Sequence, residues 1–194
     1  MSYTLITAPV EEPVTVTMLR DHATLDSAVP DSLLEVYLAA ARASAEYLTG
    51  RALLPQTWEA TFDEFPESAI RLSRPPVLSI TSVKYYDTDG VLQTLDSVNY
   101  TLDERTEPGY VLPVSGYSWP DTEERANAVV VRFQCGYTSA AAVRPDLKNW
   151  ILIRAATAVD NREAVDRSGR LQELRFVDSL LAPLVTPEGA LWGF

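Results

Sequence analysis

The spacing of apolar residues changes twice along this chain, and the changes decide what it can fold into. From Asp31 to Gly50, Leu34, Leu38, Ala41, Ala45 and Leu48 recur at helical spacing, with a second stripe of Leu33, Tyr37, Ala40, Ser44 and Tyr47 beside them. Asp31 or Ser32 can cap the start of this helix, Ser32 and Glu35 have capping-box spacing, and Gly50 supplies the left-handed residue that ends it. Glu35, Arg42, Glu46 and Thr49 fall on the remaining face, which is expected to meet water. Both apolar stripes require cover from other helices. Pro55 then stops the helical geometry, and from Gln56 to Cys135 the period is two.

In that second stretch Trp58, Ala60 and Phe62 alternate with Glu59, Thr61 and Asp63, and Val129, Val131, Phe133 and Cys135 alternate with Val130, Arg132 and Gln134. Ile70 and Leu72 precede Pro75-Pro76, which interrupts a sheet pattern. Asp87-Thr88-Asp89-Gly90 separates two strand-like runs as a hairpin, with Asp89-Gly90 as the expected turn. Tyr100 to Asp103 and Tyr110 to Val114 read as further short strands. Helical spacing returns after Pro145, where Asp146 is a candidate cap and Leu147, Trp150, Ile151, Ala155, Ala158 and Val159 form a stripe. A last amphipathic helix is expected over about Leu171–Leu181, and a short one, capped by Thr15 or Thr17, near Met18 and Leu19. Met1 to Pro13 reads as an extended arm. The expected fold class is therefore α+β: a helical-bundle core with an inserted small antiparallel β-module. Its parts are 1–55, an N-terminal arm and first core helices; 56–136, the β-module; 137–183, C-terminal core helices; and 184–194, a tail.

Composition excludes more than it selects. The net charge is −11, from 27 acidic and 16 basic residues, with no basic cluster, which argues against a surface that grips phosphates. The single Cys135 rules out an internal disulfide framework and reads as a small buried hydrophobe. The first residues lack the basic flank and apolar run of a signal peptide, and no stretch is long and apolar enough to span a bilayer, so a start in the cytoplasm and no membrane partner are expected.

Candidate chemistry is thin. One histidine, His22, and one cysteine cannot form a usual zinc site, and His22 sits beside Asp21 with no activated nucleophile in view. If Gly90 took the sixth place of an EF-hand loop, Tyr85 would hold the first, where a carboxylate is needed. The acid pairs Asp63-Glu64, Asp103-Glu104 and Glu123-Glu124 point to opposite faces of strands or sit in solvated loops, unlike a glycosidase pair. The expectation is a protein that is not an enzyme and needs no cofactor or metal. Features suited to contact are the terminal Trp192 and Phe194 and the tyrosines Tyr85, Tyr86, Tyr100, Tyr110 and Tyr117 of the β-module.

An ordered set of motifs carries a likeness. It runs from Ala40-Ala41-Arg42, Glu46-Tyr47-Leu48-Thr49-Gly50-Arg51-Ala52-Leu53 and Gln56-Thr57-Trp58 through Leu72-Ser73-Arg74-Pro75-Pro76-Val77 and Val83-Lys84-Tyr85-Tyr86-Asp87-Thr88-Asp89-Gly90. It continues with Ser118-Trp119-Pro120, Cys135-Gly136-Tyr137 and Asn161-Arg162-Glu163-Ala164. In this order the motifs resemble the head–tail connector (adaptor) proteins of long-tailed bacteriophages, which also occur in gene transfer agents. The resemblance covers about residues 15 to 183. It implies a helical core interrupted by a β-insertion, and a non-catalytic subunit of a closed ring, roughly twelve-fold, under the portal vertex. Its implied partners are the portal protein, further copies of itself and the next neck or tail protein, such as a stopper or tail-completion protein. DNA only passes through the channel, and the acidic balance suits a wall that duplex does not stick to. On this reading Leu180, Leu181, Leu184, Leu191, Trp192 and Phe194 dock on the portal, and Lys84, Tyr85, Tyr86 and Arg132 face a neighbouring subunit or the tail. The implied location is the neck of a virion or phage-like particle assembled in a bacterial cytoplasm. The alternatives are another neck component, a stopper or tail-completion protein, and a stand-alone β-type module binding sugar or peptide. A hydrolase built on His22 is the third.

Overall fold

The computed structural model describes residues 1–26, 28–161 and 179–187. In chain order these form β1 (Ser2–Thr7), α1 (Val16–Ala23), α2 (Asp31–Thr49), β2 (Gln56–Phe62), β3 (Ile70–Leu72), β4 (Val77–Tyr86), β5 (Leu92–Leu95), β6 (Tyr100–Asp103), β7 (Gly109–Pro113), β8 (Val129–Cys135) and α3 (Pro145–Asp160). Contacts divide the chain into two compact units: Met1–Pro9 with Pro55–Thr138, and Val10–Leu54 with Ser139–Phe194.

A helical-bundle core carrying a small β-insertion is not what the chain builds. Among the described residues three α-helices stand beside eight strands in two antiparallel sheets, so the protein is strand-rich. The reason lies in pairing that spacing within a segment does not reveal. Ser2–Thr7 reads as an arm because so short a run shows little periodicity, yet it pairs antiparallel with β2 and completes a five-stranded sheet ordered β1-β2-β8-β4-β5. A second sheet, ordered β3-β7-β6, accompanies it. The expected helix over about 171–181 falls largely outside the described residues.

The strand-rich unit has its own core. Alternation along β8 buries Val129, Val131, Phe133 and Cys135, and the matched register places Ala60 of β2 and Val83 of β4 beside Val131 on the same face. Cys135 is the small buried group its place in the pattern predicts. Tyr3 of β1 meets Phe133 edge-on, and its hydroxyl accepts from the Ser73 amide at 3.1 Å and donates to the Arg71 carbonyl at 3.2 Å. That link explains why β1 belongs to this unit.

The helical unit packs α3 on α2; Leu147, Trp150, Ile151, Ala155 and Val159 of α3 are buried, as are Leu34, Leu38, Ala41 and Ala45 of the first stripe, whose Leu48 is half-buried. Gly50 ends α2 at φ 69°, its amide donating to the Glu46 carbonyl. Two expected helix starts differ. No side chain caps α2, whose cap position is Pro30; Asp31 lies in the first turn and pairs with Arg20 instead. Arg144, not Asp146, precedes α3, and Pro145 takes the first helical position, where its missing N–H costs nothing. Thr15 does cap α1, accepting from the Met18 amide.

The polar face of α2 is the larger departure. Glu46 and Thr49 are buried, and Arg42 is largely so, whereas Val36 and Tyr47 stand about half exposed or more, at 61% and 52%. Helical spacing identifies two stripes and a polar face but cannot say which neighbours arrive.

Candidate interaction surfaces

Sheet register separates the residues expected to face a neighbouring subunit. Arg132 lies opposite Glu59 on one side and Ser82 on the other, and Lys84 lies opposite Val130 and Thr94. Alternation puts Lys84, Tyr86 and Arg132 on the solvent face of the five-stranded sheet and Tyr85 on the opposite face. Arg132 is exposed and clasps the Glu59 carboxylate with Nε at 2.8 Å and Nη2 at 2.6 Å. Tyr86 is half-buried beneath the Arg125 guanidinium, 4.0 Å from ring centroid to Cζ. Tyr85 packs edge-on to Phe65, which stacks on Trp119 with centroids 5.0 Å apart; burial pushes the Tyr85 hydroxyl pKa up. The five tyrosines singled out as contact residues are all half-buried.

The Asp87–Gly90 turn is organised by a carboxylate. Asp87 Oδ1 accepts from the amides of Asp89 and Val91, and Oδ2 accepts from Gln93 Nε2 at 2.7 Å. The Gln93 contact, then the two amides, hold the Asp87 carboxyl below its ordinary pKa. The Gly90 amide closes the turn on the Asp87 carbonyl, and Gly90 alone in it takes a positive φ, 75°. The turn is therefore centred on Thr88-Asp89, with Gly90 as the left-handed residue after it, rather than on Asp89-Gly90. The acid pairs are used similarly: Asp63 Oδ1 accepts from the Asn127 amide and Asp103 Oδ1 from the Arg105 amide.

In the helical unit the residues that spacing assigned to water build an internal clamp. Arg42 holds Glu12 through Nε at 2.8 Å and Glu46 through Nη1 at 2.7 Å, while Glu46 Oε1 accepts from the Leu53 amide at 2.9 Å. Burial raises the Glu12 pKa, outweighing the opposing pull of Arg42. One turn on, Thr49 and Arg51 fix the C-terminal segment: the Thr186 amide donates to the Thr49 carbonyl at 2.8 Å, and Arg51 Nε donates to the Leu184 carbonyl at 2.7 Å. Of the residues expected to dock on the portal, Leu181 and Leu184 are buried here and Leu180 is half-buried. Leu191, Trp192 and Phe194 lie outside the described residues. Spacing could not find this clamp, since its members come from three separate stretches, around Glu12, from Arg42 to Leu53, and at Leu184 and Thr186.

His22 is exposed in the last turn of α1. Among the described residues no group of three or more His, Cys, Asp or Glu is placed to hold a metal, and no helix is long and apolar enough to cross a membrane.

No protein-family model matches this sequence, and no curated protein matches it either. Solved structures do. The chain is similar to one in a structure described as the virion of a native gene transfer agent (GTA) particle, with 23% identity, a TM-score of 0.79 and 96% of each chain covered. It is also similar to chains in the neck of an empty GTA particle computed with C6 symmetry, at 22% identity and TM-score 0.76, and in the neck of a native GTA particle computed with C12 symmetry, at 24% and 0.74. Each of these two likenesses again covers 96% of both chains. At such identities the shared property is the fold.

Proposed function

We propose that this chain is a structural head–tail connector, or adaptor: one subunit of a closed ring beneath the portal vertex that extends the DNA channel and joins a DNA-filled head to the tail. The observation that carries the proposal is the likeness over 96% of both chains to a chain in a particle neck computed with C12 symmetry. The likeness takes in both units, so the reading is supported by the whole fold and not by one part of it. The net charge of −11 favours passage of duplex over binding it.

In this role the C-terminal segment is the portal anchor. Leu181 and Leu184 are buried, the Thr186 amide ties the segment to the Thr49 carbonyl of α2, and Leu180, Leu191, Trp192 and Phe194 supply the apolar contact to the portal. Lys84, Tyr86 and Arg132, on one face of the five-stranded sheet, meet a neighbouring subunit or the tail-side protein, and Tyr85 supports that face from behind.

Electron microscopy of particles made without this protein tests the role. Packaged heads lacking tails are expected; particles that mature and deliver DNA normally would refute it. Truncation after Pro187 tests the anchor, because it spares Leu184 and Thr186, whose contacts belong to the fold. Loss of portal binding with an unchanged melting temperature is expected.

A further inference from the structure

The five-stranded sheet is charged in the reverse of the usual way. Exposed edge strands are ordinarily guarded by charges, prolines or bulges, because their free N–H and C=O groups recruit other strands. Here the three inner strands each carry an ion on the solvent face: Glu59 on β2, Arg132 on β8 and Lys84 on β4. The two edges carry none. β1 reads Ser-Tyr-Thr-Leu-Ile-Thr and β5 reads Leu-Gln-Thr-Leu, in a chain with 27 acidic and 16 basic residues. Neither edge holds a proline. Among the described residues, no strand pairs with the outer side of β1 or of β5.

The edges also match in length and direction. β1 keeps regular register with β2 from Ser2 to Leu5 and becomes irregular only beyond it, leaving four regular positions; β5 has four, Leu92 to Leu95. Every neighbouring pair in the sheet is antiparallel, so the first and fifth strands run the same way. A second copy related by rotation about a ring axis would present β5 parallel to β1, with the sheet faces continuous.

We infer that the subunits join by strand addition, β1 of one copy pairing in parallel with β5 of the next, so that one sheet runs on from subunit to subunit. This deepens the ring reading and rests on it. The contact is heterologous, uses two different surfaces, and so propagates until it closes. Because both edges are free of charge, copies that each carry −11 can meet there without placing like charges at the seam. Ser2 then lies near Leu92 and Leu5 near Leu95, which gives the exposed side of Leu5 an apolar neighbour.

The test uses full-length chains assembled on portal-bearing heads. Thr4 and Thr94 are exposed and occupy matching positions on the two strands. In the doubly substituted Thr4→Cys/Thr94→Cys protein, a short thiol-to-thiol reagent should produce a ladder of covalent multimers ending at the closed ring. Either single variant should give none, and the buried Cys135 keeps the unsubstituted background low. Multimers from Thr4→Cys alone would mean β1–β1 pairing and overturn the inference, as would an assembled ring in which the double variant fails to cross-link. Thr4→Lys and Thr94→Glu should each lower ring yield roughly tenfold or more without lowering the melting temperature of the free chain, because each new charge lies opposite one of the other sign, Glu59 and Lys84. An equal loss from Val36→Lys, on α2, would assign the effect to charge in general and overturn it too. Normal rings from the two edge-charge variants would defeat strand addition and leave the ring reading standing, whereas a wild-type chain that forms no ring on portal-bearing heads would defeat both.

Discussion

Arg132 and Arg42 each hold a carboxylate at hydrogen-bond distance, one in the strand-rich unit and one in the helical unit. Arg132 is 44% exposed and its partner Glu59 24%; Arg42, Glu46 and Glu12 are 14%, 11% and 27% exposed. The chemistry is the same and the surroundings differ. On the sheet face, water competes for both groups, and the pair serves as a patterned surface. In the helical unit the three side chains have given up most of their hydration, so each relies on the others and on the Leu53 amide. One unit displays its charges and the other uses them as internal ties.

The largest expected effects test whether each unit has a core of its own. Trp150→Ala and Phe133→Ala should each cost about 3–5 kcal/mol in urea unfolding, since both side chains are fully buried. A cost below about 1 kcal/mol at either site would remove that unit from the comparison. Next, Arg42→Ala strands two carboxylates and should cost about 3 kcal/mol, whereas Arg132→Ala should cost under about 1 kcal/mol. Equal costs would break the contrast. Between these lies Gly90→Ala, at about 1 kcal/mol, arising from the left-handed backbone: a methyl there would meet Glu123 Oε2 no closer than 3.5 Å.

The smallest effect is a dependence on pH, and its sign separates burial from pairing. Burial holds the Glu12 carboxyl above its ordinary value, so the folded chain binds that proton more tightly than the unfolded one. Stability from this group rises as pH falls through the folded pKa and levels off below the unfolded value near ~4.3. Glu12→Gln should abolish that slope. Asp146 behaves oppositely. The Arg144 guanidinium holds it low, so its stabilisation is present above about pH 4 and is lost as pH falls through the folded pKa. Acid titrations of Glu12→Gln and Asp146→Asn, followed by thermal melting, should therefore differ from wild type in opposite directions.

How legible the fold was varies with the range of the interaction. The burial of Leu34, Leu38, Ala41 and Ala45 on α2, the alternation along β8 and the left-handed Gly50 could be read from neighbours a few residues away, and all are present. The candidate sites were less legible. Lys84, Tyr86 and Arg132 share a face only because β4 and β8 are in a particular register, and that register puts Tyr85 behind them. The anchor of the C-terminal segment depends on Thr49 and Arg51 meeting Leu184 and Thr186, more than a hundred residues on.

By itself the sequence determined where helix yields to strand and returns, the apolar stripes that must be covered, and a net charge of −11. Periodicity is a local property of the backbone, and composition is independent of conformation. Only the tertiary structure decided that Ser2–Thr7 is the edge of a sheet, that Arg42, Glu46 and Thr49 turn inward, and that the protein is strand-rich instead of a helical bundle with an insertion. Those outcomes depend on which distant segment supplies a hydrogen-bonding edge or a desolvating wall, and no spacing within one segment encodes its partner.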